Sequence, residues 1–223
     1  MIELCVIVEG PTEEGFVRDV LVPHLRQCEV ESRASVVGKP GHKGGVRSYQ
    51  RIQKHLRNWM GDRRPTLRFT TMIDLYKLPS DFPGFEDSSG CPRPDERVRA
   101  LETALAKKID DPRFIPYVQL HEFEALLLAN PTKFATFFLN HERNIRKLEK
   151  LVRNKRPELI DDDDPPSKQI ASVLTDYAKA KPVAGPQIAS AIGIATIREK
   201  CPHFNEWLAG LEALGKTSIS VGN

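Results

Sequence analysis

Carboxylates follow three of the apolar runs in this chain. Glu9 ends the run Ile2 to Val8, Asp74 ends the run Leu67 to Ile73, and Glu122 with Glu124 follows the run Phe114 to Leu120. Glu13 comes shortly after Glu9, past Gly10-Pro11-Thr12. Uncompensated carboxylates brought together repel one another and hold their protons to higher pH. A hard divalent cation, Mg²⁺ or Mn²⁺, relieves that repulsion because it prefers oxygen ligands. Glu9, Glu13, Asp74, Glu122 and Glu124 are therefore the candidate metal ligands. On a helix start, His121 and Glu124 are three apart and share a face while Glu122 points elsewhere, which favours Glu124 and leaves Glu122 in reserve. Such a site suits phosphodiester hydrolysis, which needs charge neutralisation at phosphorus, a nucleophilic water and help for the leaving oxygen. His121 could orient a carboxylate or contact phosphate, or simply make a structural hydrogen bond.

These acids converge only if their strands run parallel, because parallel strands put their carboxyl ends along one edge, where open α/β sheets place sites. The pattern supports this arrangement. Ile2 to Val8 reads as a buried strand, Glu31 to Val37 as a second, Leu67 to Ile73 as a third and Phe114 to Leu120 as a fourth. Pro116 favours an edge position or a strand start for the last. Helical spacing separates them: Phe16, Val17, Val20, Leu21 and Leu25, with Pro23 as a kink; then Ile52, Leu56, Trp59 and Met60 behind a Ser48 cap; then Val98, Leu101, Leu105 and Ile109. Thr12 is read as the N-cap of the first helix, with Glu13 in its first turn, where the dipole favours an anion. His121 to Glu124 opens an apolar helix over Ala125 to Ala129. This alternation indicates βαβ units and a mostly parallel α/β sheet flanked by helices. From Pro131 onward the pattern is helical, with segments at Lys133 to Leu139, Arg143 to Asn154, Ser167 to Ala178, Pro186 to Ile192 and Phe204 to Leu214. The expected organisation is an α/β core over residues 1–130, a helical extension packed on it over 131–216, and a polar tail over 217–223.

The 223 residues, 28% charged with a formal charge of +3, fit a globular protein and do not by themselves argue for a polyanion partner. Cys5, Cys28, Cys91 and Cys201 form no CxxC pair, which argues against a zinc finger or a disulfide framework and fits a cytoplasmic protein. The amino terminus has no basic n-region and its apolar run is too short to span a bilayer. The basic, glycine-rich loop Lys39 to Gly45, with Arg47, Arg51, Lys54 and Arg57, could track a phosphate backbone, and a solvated helix face explains the same charges. It does not match the phosphate loop of ATPases. Asp161 to Asp164 lacks the spaced oxygens of a calcium loop and reads as a linker. Cys201 and His203 have no further partner at ligand spacing and read as packing or capping residues. No GxSxG nucleophile elbow is present.

Glu9-Gly10-Pro11-Thr12-Glu13 resembles the EGxTE signature of TOPRIM-related domains. Together with Met72 to Gly84, Gln119 to Leu127, Pro166-Ser167-Lys168 and Cys201 to Trp207, it resembles domain-of-unknown-function family 4276 over nearly the whole chain. That resemblance implies a TOPRIM-like fold with an acidic Mg²⁺ site, related to the TOPRIM domains of overcoming-lysogenization-defect (OLD) nucleases. It implies Glu9 as metal ligand or general acid/base and Asp74 as the metal-binding aspartate. It also brings in Lys168 as a candidate for stabilising transition-state charge. Relatives of the family accompany ATPases of bacterial mobile-element defence, so the resemblance implies nucleic acid and an AAA- or ABC-type ATPase as partners. One departure stands out. The usual Asp-x-Asp motif is Asp74-Leu75-Tyr76 here, without its second aspartate. Two functions follow as expectations: a Mg²⁺- or Mn²⁺-dependent nuclease or phosphoesterase, or a TOPRIM-like subunit that has lost catalysis and serves as a binding or sensor module for an ATPase.

Overall fold

The computed structural model describes residues 1–37, 46, 48–160 and 164–217. The basic loop from Lys39 to Gly45, Arg47, the acids Asp161 to Asp163 and the tail after Thr217 lie outside the described residues.

Four parallel positions make the sheet. Strand β1 (Ile2–Val8) is central, with β2 (Val30–Val36) on one side and β3 (Leu67–Asp74) on the other. The last position is split into β4 (Phe114–Ile115) and β5 (Val118–Gln119), both parallel to β3 at the edge. The expected fourth strand is interrupted because Pro116 has no N–H to give the ladder. Thr71 bridges the gap: its hydroxyl accepts from the Tyr117 N–H at 3.1 Å and donates to the Tyr117 carbonyl at 2.9 Å.

Side chains of β1 alternate between two cores, as strand geometry requires. Cys5 and Ile7 face the layer of α3 (Tyr49–Gly61) and α4 (Pro94–Ile109). Leu4, Val6 and Val8 face α1 (Pro11–Phe16) and α2 (Val22–Arg26), joined by a π-helical turn Val17–Leu21 ahead of Pro23. That turn occupies the place where a kink was expected. The chain after Pro131 packs into this same second core. Helix α5 (Glu124–Leu127) precedes it, and it comprises α6 (Glu142–Val152), α7 (Pro166–Val173), α8 (Tyr177–Ile192), α9 (Ile194–Lys200) and α10 (Pro202–Thr217).

Three boundaries differ from expectation. The first helix begins at Pro11 with Gly10 as N-cap, because proline is preorganised for the first helical position; Thr12 is inside and buried. The segment Pro131–Thr136 is a 3-10 helix. Most consequential, α8 starts at Tyr177 and runs through both Pro182 and Pro186. Each proline inside a helix costs about 3 kcal/mol. The helix survives because Ala184, Ile188, Ala189 and Ile192 are buried in the core against α1.

Two glycines allow that contact. A Cβ on Gly15 would stand 2.5 Å from Pro186 Cγ, and one on Gly185 would stand 2.8 Å from Thr12 Cγ2 and 3.1 Å from Phe123. Helices α1 and α8 therefore meet nearly backbone to backbone over the carboxyl ends of β1 and β3. Among the described residues, no helix is long and apolar enough to cross a membrane.

Candidate active site

Glu9 follows β1 directly, and its two carboxylate oxygens are held by backbone. The Asp74 N–H donates to Glu9 Oε1 at 2.9 Å and the Val46 N–H to Glu9 Oε2 at 3.3 Å. Asp74, the last residue of β3, is fixed in turn: its Oδ1 accepts the Phe123 N–H at 3.0 Å. Three loops at the sheet's carboxyl edge are thus tied together through two acids. Glu13, in the first turn of α1, and Glu124, the first residue of α5, are both buried, while Glu9 and Asp74 keep partial exposure.

Among the described residues, one cation joins these acids. Lys181 Nζ lies 2.9 Å from Glu124 Oε1, which also accepts the Tyr177 hydroxyl at 3.0 Å. Lys181 and Tyr177 are one turn apart on α8, so the close α1–α8 packing delivers both to the acids. Among the described residues, Glu124 Oε2 is buried without a partner.

The electrostatics show how tightly the groups are drawn together. Loss of solvation pushes Glu9 up to about 7, with Glu13 adding to the rise and the two N–H donors and Lys181 opposing it. Asp74 is raised well above the ordinary aspartate range by desolvation and then by Glu9, Glu13 and Glu124. Glu13 is raised by burial and by Glu124, against the pull of Lys181. Burial of Lys181 disfavours its charge, yet Glu124, Asp74 and Glu13 outweigh it and hold the ammonium firmly protonated.

Of the residues expected at the site, the structure brings Glu9, Glu13, Asp74 and Glu124 into mutual interaction. It places the other three elsewhere. Glu122 lies before α5, which opens at Glu124, and follows a left-handed residue at His121 (φ 60°). The Glu122 carboxylate accepts the Ser167 N–H at 2.9 Å, capping α7. His121 is buried, with Nε2 3.2 Å from the Glu158 carbonyl oxygen. Lys168 is exposed on the first turn of α7. Tyr76, at the position of the missing second aspartate, is half-buried, and its N–H donates to the His121 carbonyl at 2.8 Å. The residues that sequence reasoning missed are Lys181 and Tyr177. Their i, i+4 spacing was the available signal, hidden by the prolines that follow.

The donor set fits a hard divalent cation in kind: four carboxylates, of which Glu9, Glu13 and Asp74 are raised by burial and by neighbouring acids, with one buried oxygen left over among the described residues. Lys181 supplies the positive charge in the arrangement seen. Among the described residues, no three His, Cys, Asp or Glu side chains are disposed to hold an ion as they stand. Glu124 would have to turn from Lys181 to join its neighbours around a metal.

Cys201 is buried and its thiol is raised well above the ordinary range by desolvation, which leaves it unsuited to nucleophilic work. His203 is structural. Its ring stacks on Tyr117 and bonds Glu102 at 2.9 Å, while Glu158 accepts the His203 and Phe204 N–H groups at the start of α10.

Solved structures of the C-terminal region of the OLD protein of Xanthomonas campestris pv. campestris are distantly similar. The platinum-phased structure gives a TM-score of 0.45 at 16% identity, covering 93% of this chain and 94% of that one. The mercury-phased structure gives 0.43 at 16%, covering 92% and 96%. These likenesses are too remote to transfer a residue or an activity. No curated protein matches the chain at a significant level. Residues 8–212 match the family described as domain of unknown function (DUF4276), and the chain belongs to that family.

Proposed function

We propose that this chain is a TOPRIM-like, Mg²⁺- or Mn²⁺-dependent phosphodiester hydrolase acting on nucleic acid in the cytoplasm, in concert with an ATPase. The observation that carries this reading is the convergence of Glu9, Glu13, Asp74 and Glu124 around Lys181 at the carboxyl edge of a parallel sheet. With every group ionised the cluster is negative by three, which folding alone disfavours and a divalent cation relieves. Asp74, Glu13 and Glu124 are the side chains that would hold the ion, and when bound it supplies charge neutralisation at phosphorus and an acidic water. Glu9, oriented by two backbone N–H groups, handles a proton at one carboxylate oxygen. Lys181, protonated at neutral pH, is suited to a non-bridging phosphate oxygen, the role sequence reasoning offered to Lys168.

DNA and RNA substrates incubated with Mg²⁺, Mn²⁺ or EDTA test the reading. Cleavage should require the cation and fall on the order of 10²-fold or more in Glu9→Ala and in Asp74→Ala, with Lys168→Ala unaffected. Metal-dependent cleavage that persists in both acid variants overturns the assignment.

A second reading is favoured by the Lys181–Glu124 ion pair and by the absence, among the described residues, of three acids disposed to hold an ion. In that reading Lys181 has replaced the metal and the chain is a binding or sensor module for an ATPase. Wild-type protein would then cleave nothing and bind no divalent ion through Asp74.

A further inference from the structure

Helix α6 buries one stripe and charges the other. Ile145 and Leu148 are in the core, and Arg143, Arg146, Lys147 and Lys150 are exposed. At about 100° per residue these four cations share the face opposite Ile145 and Leu148. Arg153 and Arg156 extend the exposed positive surface past the helix end. The acids nearby are Glu142, exposed in the first turn, and Glu149, half-buried on the flank; among the described residues none of the six cations forms an ion pair. Arg143 and Lys147, like Arg146 and Lys150, are like charges at i, i+4. Each such pair destabilises a helix. Among the described residues no ion pair offsets that cost, and a linear array of negative charge would.

We propose that the exposed face of α6, continued by Arg153 and Arg156, is a docking surface for the phosphate backbone of nucleic acid. The inference deepens the reading of nucleic acid as substrate and is independent of how the acids perform chemistry. A polyanion fits better than a membrane, because an interfacial helix needs an exposed apolar face and that of α6 is already buried. The surface belongs to the same layer as the site: α6 packs on α7, and α7 on α5, which begins with Glu124. Contacts of this kind position the backbone without reading sequence.

The full chain, held in EDTA so that no turnover occurs, is titrated against a labelled duplex and a labelled single strand from about 50 to about 200 mM salt. The probe is fluorescence anisotropy. The quadruple variant Arg143→Ala/Arg146→Ala/Lys147→Ala/Lys150→Ala should keep its helix, since alanine has the best helix propensity. Its plot of log affinity against log salt should flatten by about 0.9 per lost contact on the duplex and about 0.7 on the single strand. Affinity at the lowest salt should fall more than tenfold, and Lys107→Ala/Lys108→Ala on α4 should change neither quantity. An unchanged salt slope in the quadruple variant overturns the proposal. So does an equal effect of the α4 control, or α6-dependent binding to anionic vesicles without binding to nucleic acid. Loss of cleavage in the acid variants with α6 binding intact would leave this surface standing, so the two readings fail separately.

Discussion

Replacing Lys181 by methionine removes the one cation that the described residues bring to the acid cluster while keeping its stem. The ammonium lies 2.9 Å from Glu124 Oε1, the Glu124 side chain is fully buried, and the lysine side chain is 30% exposed. Breaking a buried pair by deleting one partner costs about 3–5 kcal/mol, because the other charge is left uncompensated. The partial exposure of Lys181 and the remaining Tyr177 hydroxyl bond place this case near the lower end, at about 3 kcal/mol at pH 8. The loss should depend on pH. Without Lys181 the folded-state pKa values of Asp74, Glu13 and Glu9 rise further above their unfolded values. A raised group contributes its stability below the unfolded pKa and loses it as pH climbs through the folded one. The variant's deficit therefore grows from pH 5 to pH 8. Urea unfolding at both values measures it, with Lys168→Met as a control expected within about 0.5 kcal/mol of wild type. A deficit below about 1 kcal/mol at pH 8, or one equal at both pH values, would refute the idea that Lys181 neutralises buried acids.

Two further outcomes follow from the same cluster. Asp74→Asn keeps the oxygen that accepts the Phe123 N–H but removes a carboxylate raised well above its ordinary value. At pH 8 it should be more stable than wild type while losing activity; the gap should close as pH falls toward 4, as denaturation across pH would show. Gly185→Ala puts a methyl 2.8 Å from Thr12 and 3.1 Å from Phe123. It should cost about 1–3 kcal/mol by overpacking and lower activity by shifting Lys181, read from urea midpoints and cleavage rates of one preparation.

Much of this site was legible in the chain. Glu9 and Asp74 stand at the carboxyl ends of β1 and β3, and parallel topology leaves them no choice but to share an edge. Glu124 was favoured over Glu122 by helical spacing, although α5 opens only at Glu124 itself. What separates the two acids is the demand of α7 for a cap at Ser167, met by Glu122, and the pull of Lys181 and Tyr177 on Glu124. Lys181 was hidden because Pro182 and Pro186 signal the end of a helix, and local rules take no account of the burial of Ala184 and Ile188 against α1. Lys168 was drawn in by its Pro-Ser-Lys setting, where the group the fold uses is the backbone N–H of Ser167. The cap that Glu158 gives α10 lies 45 residues from His203, beyond the reach of any local pattern.

Calorimetric titration of the full chain with Mn²⁺ at pH 8 tests the central claim most directly. Binding should be measurable in wild type and weaken more than tenfold in both Asp74→Asn and Glu124→Gln, with Lys168→Ala unchanged. Saturating metal at about 100 times its dissociation constant should add about 2.7 kcal/mol of stability to wild type. Absence of binding, or equal affinity in wild type and in both acid variants, would contradict the assignment of this cluster as a metal-dependent active site.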